Sequence, residues 1–274
     1  MKKSFVSSLA FSFLAFSIVR SQATITFSDN FNSYVNGNLA GLTADAVGQG
    51  TWRETSTAAA TPIQVNNGTV VLGPSGQDIY SALTTPTILS DGQSLYFSLS
   101  INVTAAQAAG DYFLHFTPSA GNSSAFYSRL FVKSVTGGFE LGWLGTSGGT
   151  GLPTYGTTVL SLSTPYQVVM AYNFSATTPT NSTGAVFVNP TDPIVGNNTA
   201  YLTADWLTTT TPDTNSIAAV NFRQGSAANA PSLTLDNLVV ATSFSDVMPV
   251  PEPSTLVLAG LGGLACLGAL RRKR

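Results

Sequence analysis

Leu95-Tyr96-Phe97-Ser98-Leu99-Ser100-Ile101-Asn102-Val103 carries an apolar residue at every odd position and a polar one at most of the even ones. A period of two is that of a β-strand with one face buried and the other in water. The same patterning predicts strands over 68–72, 112–117, 126–133, 138–144, 157–162, 166–174, 185–188, 217–223 and 232–240. Turn-forming runs separate them: Asn66-Asn67-Gly68, Gly73-Pro74-Ser75-Gly76, Gly137-Gly138 and Ser147-Gly148-Gly149. No stretch of 24–250 has a convincing helical period. Some ten to twelve short strands without intervening helices point to an all-β fold, an antiparallel jelly-roll β-sandwich. The one cysteine, Cys266, lies outside this stretch, so packing alone must hold the sandwich.

The order of landmarks sharpens the expectation. Phe27-Ser28-Asp29-Asn30-Phe31 opens the body, followed by Tyr34, Gly37, Leu39-Ala40-Gly41-Leu42 and Gly50-Thr51-Trp52; Leu233-Thr234-Leu235-Asp236-Asn237-Leu238-Val239-Val240 closes it. In this sequence they resemble the concanavalin A-like jelly roll of lectins, laminin G-type modules and glucanases, whose first and last strands pair. The resemblance spans 24–241 and implies one domain. Segments 177–184 and 189–214 read as loop insertions, the second with an apolar anchor at Ala204-Asp205-Trp206-Leu207. Residues 242–250 read as a spacer.

Both ends describe an address. Met1-Lys2-Lys3, an apolar stretch over 4–19 and Ser21-Gln22-Ala23 form a secretory signal peptide (1–23), cut after Ala23 by signal peptidase. At the other end, Pro251-Glu252-Pro253 precedes an uncharged run over 256–270 and a basic finish, Arg271-Arg272-Lys273-Arg274. Counted from Ser254, the run approaches the roughly 17 to 25 residues of a membrane-spanning helix. The basic end stays cytoplasmic by the positive-inside rule. Residues 251–274 thus resemble the PEP-CTERM sorting signal of Gram-negative bacteria, which implies exosortase as the processing enzyme. The resemblance makes Pro251, Glu252 and Pro253 the motif, a short C-terminal transmembrane helix the tether to the inner membrane before processing, and the cell envelope or extracellular matrix the destination. Prolines flanking Glu252 keep that stretch extended and open to a protease.

Charge excludes several functions. Between 24 and 250 the only basic residues are Arg53, Arg129, Lys133 and Arg223, against twelve carboxylates, a net charge of −8. Nucleic acid needs a basic footprint, so it is not a partner.

Candidate chemistry is sparse. Glu54 and Glu140 are the only glutamates of the body, and Phe139-Glu140-Leu141-Gly142-Trp143 lacks the alternating carboxylates of jelly-roll glucanases. Asp111 meeting Glu140 in space is the remaining catalytic pairing. A lone histidine, His115, builds neither a multi-His metal site nor, without a partner nucleophile, a hydrolase triad. The jelly-roll resemblance implies a structural Ca²⁺ held by Asp29 and Asp236; the other reading has both flanking strands and bonding backbone N–H groups. Sugar rings have apolar faces and polar rims, which makes Trp52, Trp143, Tyr155, Tyr201 and Trp206 glycan-contact candidates, with core packing as the alternative for each. The expectation is therefore an exported, non-enzymatic protein of the envelope or matrix, structural or adhesive toward exopolysaccharide. Its rivals are a dedicated lectin-like carbohydrate-binding module and a divergent glycoside hydrolase or lyase.

Overall fold

The computed structural model describes residues 25–43, 49–55, 61–121, 124–145, 151–177, 181–205 and 213–248. In chain order the strands begin with β1 (Ile25–Asp29), β2 (Gly37–Asn38), β3 (Gln49–Glu54), β4 (Gln64–Asn66), β5 (Thr69–Leu72) and β6 (Ile79–Ile88). The middle of the chain gives β7 (Ser94–Ala105), β8 (Asp111–Thr117), β9 (Tyr127–Val135), β10 (Gly138–Leu144) and β11 (Thr154–Tyr155). The rest are β12 (Pro165–Asn173), β13 (Thr183–Val188), β14 (Leu202–Asp205), β15 (Ser216–Phe222) and β16 (Ser232–Ala241), followed by one helical turn, α1 (Phe244–Val247).

These strands make two antiparallel sheets. One runs β14-β13-β12-β7-β16-β5-β4-β2 with β1 also paired to β16; the other runs β11-β10-β9-β8-β15-β6-β3. The first and last strands do pair, Phe27 opposite Val240 and Asp29 opposite Leu238. β5 takes the same side of β16 further along, opposite Leu233 to Leu235, so β1 and β5 lie end to end beside one long closing strand. The molecule is a β-sandwich.

Alternation decides what lies between the sheets. From β7 the odd residues Leu95, Phe97, Leu99, Ile101 and Val103 all enter the core. From the other sheet come Leu114, Phe116, Leu130, Val132, Phe139, Leu141, Val220 and Phe222. Each such side chain contributes about 1.5–3 kcal/mol by leaving water. The tryptophans fill the largest gaps. Trp52 stacks on Phe222 with ring centroids 4.8 Å apart. Trp143 lies so close to β13 that a Cβ on Gly184 would sit 2.2 Å from its indole; only glycine admits the ring there.

Four local expectations change. β6 was hidden because Pro86 falls within it; the pairing with β15 slips between Thr87 and Ala82, and proline is tolerated at such an irregularity. Residues 157–162 form no strand and meet β10 only at the bridge between Phe139 and Leu160. The 189–214 insertion contains β14, which aligns with β13 and turns Leu202 and Ala204 inward. Finally, 242–250 is not merely a spacer. Phe244 and Val247 of α1 are 4% and 2% exposed, against the outer side of the nine-stranded sheet. The Phe244 ring meets Tyr96 at 5.5 Å and Phe187 at 5.2 Å, both edge-on. One turn is too short to show a helical period, which is why the sequence reads there as a linker. Among the described residues no helix is long and apolar enough to cross a membrane.

Phe244→Ala is expected to cost about 3 kcal/mol, the usual loss for a buried phenylalanine, in urea unfolding followed by tryptophan fluorescence. A dangling spacer would show no change.

Candidate functional site

The outer side of the seven-stranded sheet gathers the body's unusual residues. On β9, Leu130 and Val132 point into the core, so Arg129, Phe131 and Lys133 point away from it. On β10 the inward set is Phe139, Leu141 and Trp143, which leaves Glu140, Gly142 and Leu144 outward. β8 shifts register between Tyr112 and Leu114, and the irregularity brings Tyr112 and His115 to the outer side. Tyr112, Phe131 and Leu144 form a separate apolar floor, flanked by Phe126 and Tyr155. Tyr155, opposite Gly142 on β10, lies flat over it; a Cβ there would come within 2.7 Å of the ring.

Cations ride on this floor. The Lys133 ammonium is 4.0 Å from the Tyr155 centroid and 3.2 Å from Glu140, its cross-strand partner. The guanidiniums of Arg129 and Arg223 lie 5.1 Å and 4.3 Å from the centroid of one ring, Tyr112. Arg129 also stands 5.6 Å from the Phe131 ring. Such contacts contribute about 0.5–2 kcal/mol each. Arg223, just past β15, binds Asp111 at 2.7 Å and reaches Asp78 at 3.9 Å. Arg53, beside the inward Trp52 on β3, extends the row to the sheet edge opposite Tyr80.

All four basic residues of 24–250 are therefore on one side of one sheet, with Asp78, Asp111 and Glu140 among them. The other described residues carry Asp29, Glu54, Asp91, Asp192, Asp205, Asp213, Asp236 and Asp246 and no lysine or arginine.

Burial tunes the titrating groups. His115 is 3% exposed, edge-on to Phe126 at 4.7 Å and to Tyr112 at 5.4 Å, and its Nδ1 has no hydrogen-bond partner. Desolvation first, then Arg223 and Arg129, pull its pKa down to about 3. It is neutral and adds no charge to the cluster. Burial pushes Tyr155 up to about 12, helped by Asp111 and Glu140, and raises Tyr112 against the pull of the arginines. Both phenols stay protonated. Desolvation raises Asp78 to about 6 although Arg223 opposes it. Asp111 and Glu140 do share this face, each tied to its own cation.

Residues 249–273 match the PEP-CTERM protein-sorting motif. The motif marks an exported protein and implies processing by exosortase. No curated protein matches the chain. Among solved structures, the alginate lyase Aly36B aligns at 15% identity and TM-score 0.43, over 78% of this chain and 95% of its own. The Emp47p carbohydrate recognition domain aligns at 12% and 0.44, over 81% and 97%. An endo-beta-1,4-glucuronan lyase from the fungus Trichoderma reesei aligns at 10% and 0.40, over 81% and 93%. At these values neither activity nor ligand carries across to the present chain.

The structure separates the residues singled out by sequence. Trp52 and Trp143 are fully buried, their indole N–H groups donating to Asp29 at 2.9 Å and Ser128 at 2.8 Å, so neither faces a ligand. Tyr201 directs its hydroxyl to backbone, donating to the Thr158 carbonyl and accepting from the Leu141 N–H. Of the four candidates among the described residues, Tyr155 alone joins the cationic face. Trp206, Ala23, Pro251, Glu252, Pro253, Arg271, Arg272, Lys273 and Arg274 lie outside the described residues.

The donor set around Asp29 does not fit Ca²⁺. Its carboxylate is 1% exposed and accepts from the Phe31 N–H, the Tyr34 hydroxyl and the Trp52 indole. Asp236 accepts from the Asn237 backbone and side chain. Hydrogen-bond donors stand where a cation would need oxygen ligands. No group of three or more His, Cys, Asp or Glu able to hold a metal occurs among the described residues.

Sequence reasoning counted the four cations but missed their convergence; the alternation Arg129, Phe131, Lys133 between Leu130 and Val132 was the available signal.

The His115 ring is expected to show no titration in NMR spectra between about pH 8 and about pH 4. Its folded pKa lies below the ordinary 6.5, so its contribution is lost as pH falls through the unfolded value, where only the unfolded chain takes up a proton. His115→Gln should remove that part of the acid sensitivity in urea titrations.

Proposed function

We propose that this chain is an exported, non-enzymatic glycan-binding protein of the envelope or matrix, built on a concanavalin A-like body and sorted through its PEP motif. The observation that carries the reading is the cationic, aromatic-floored outer side of the seven-stranded sheet. A sugar ring presents an apolar face to an aromatic ring and hydroxyls to charged neighbours. Tyr155 offers such a face where the Lys133 ammonium now lies over it, and Lys133 with its partner Glu140 can donate to and accept from one pair of hydroxyls. The phenols stay protonated and the imidazole neutral, and Asp78, the one group here raised toward neutral pH, is held by Arg223 and the Gln224 N–H, an arrangement that favours holding a glycan over transforming it. Adhesion to exopolysaccharide follows from coupling such a face to an exported, membrane-processed chain.

Tyr155→Ala is expected to weaken binding to glycan-array hits by about tenfold, the usual effect of removing an aromatic anchor, with little change in thermal unfolding. An unchanged array profile would move the ligand to another surface. The sorting half is tested separately. The wild-type protein should appear in intact-mass spectra of envelope and medium as a form starting at Thr24 and ending near Pro251-Glu252-Pro253. Replacing those three residues by alanine should leave a species that retains Arg271, Arg272, Lys273 and Arg274.

A further inference from the structure

Resting on the glycan-binding reading above, we infer that the ligand of this face is an acidic polysaccharide, recognised through its carboxylates by the guanidiniums of Arg129 and Arg223.

Charge placement leads to this class of ligand. A polyanion approaching the body meets carboxylates and no lysine or arginine over every described residue outside this face. Here it meets four cations against three carboxylates. Repulsion elsewhere and tolerance here give one docking surface, and like-charge rejection is an effective way to orient a ligand. A neutral sugar would need no such segregation. The outer side of the nine-stranded sheet already offers Ser100 and Gln167 as neutral hydrogen-bonding groups, without any cation among the described residues.

The arginine pair adds a second argument. Two guanidiniums share one aromatic ring, Tyr112, and burial lowers the pKa of Arg129 against the opposing pull of Tyr112 and Asp111, with Arg223 lowering it too. Asp111 at 2.7 Å and Asp78 at 3.9 Å answer the charge of Arg223, and an incoming carboxylate adds to them beside the second guanidinium. Planar guanidinium matches planar carboxylate through parallel N–H donors. Beneath them, His115 fills space without adding a third positive charge.

The test compares each acidic ligand with its neutral twin. Protein recovered from its envelope is titrated with hexamers of glucuronate, galacturonate, mannuronate and guluronate. Each is paired with the same hexamer after its carboxyls have been reduced to primary alcohols. At least one acid form is expected to bind about tenfold or more tightly than its reduced form. That advantage should shrink from about 50 mM to about 500 mM salt and fall in Arg129→Gln while surviving better in Arg129→Lys. Reduced and acid forms binding alike would overturn carboxylate recognition while leaving glycan binding intact. Binding of none of the eight would overturn both. An acid preference undiminished in a folded Arg129→Gln would remove Arg129 from the site. Should that variant fail to fold, the wild-type comparison of acid with reduced hexamers decides alone.

Discussion

A buried carboxylate ties the beginning of this chain to both sheets. Asp29 ends β1, which belongs to the nine-stranded sheet through β16, and accepts from the indole of Trp52, which belongs to β3 at the edge of the seven-stranded one. It also fixes the turn that follows it, through the Phe31 N–H and the Tyr34 hydroxyl. Trp52, held by that bond, stacks on Phe222 of β15 and meets Phe27 and Phe31. A carboxyl group at 1% exposure is tolerable only when its oxygens are satisfied in this way. In a chain without an internal disulfide, this node does what a covalent staple does in smaller sandwiches: it sets which edge of one sheet faces which edge of the other. The outer side of the seven-stranded sheet inherits its geometry from that alignment, because Arg53 neighbours Trp52 on β3 and Arg223 follows Phe222 on β15.

With the core shared, the two sheets differ in what they show outward. The nine-stranded sheet presents Ser100 and Gln167, and covers Val169, Ala171, Ala185 and Phe187 with the single turn of α1. Its apolar patch is closed by the chain itself. Among the described residues, the seven-stranded sheet covers Tyr112, Phe131 and Tyr155 with long charged side chains and with Phe126. Long cationic stems over aromatic rings cover apolar surface while keeping their heads wet. They can also be shifted by a ligand at small cost, which a packed helix cannot.

The legible part of this fold was wherever burial on one side made alternation strict. β7, β9, β10, β12 and β16 read directly from their sequences, and β8 did so despite its shifted register; the pairing of first and last strands came with the jelly-roll resemblance. The rest failed for identifiable reasons. β6 carries Pro86 in a slipped register; β14 and α1 are four residues each, too short for any period to emerge. At the site, tryptophans attract the eye as sugar platforms, yet large rings in a sandwich are drawn to the core, as Trp52 and Trp143 were. Arg129 and Arg223 are far apart in sequence and meet only because β8 separates β9 from β15 in the sheet. Register and strand order, which no single segment encodes, made the cluster invisible beforehand.

The same topology places the chain's sorting end away from this cluster. Val247 packs on the outer side of the nine-stranded sheet, across the core from Arg129 and Tyr112. Residues 249–273, which carry the sorting motif, therefore follow directly from the opposite side of the sandwich. Had 242–250 hung free, nine residues of slack, about 30 Å of extended chain, would have let the tail reach around the body. Docking Phe244 removes most of that reach. The last described turn before the sorting motif and the ring of Tyr155 therefore lie on different sides of the sandwich.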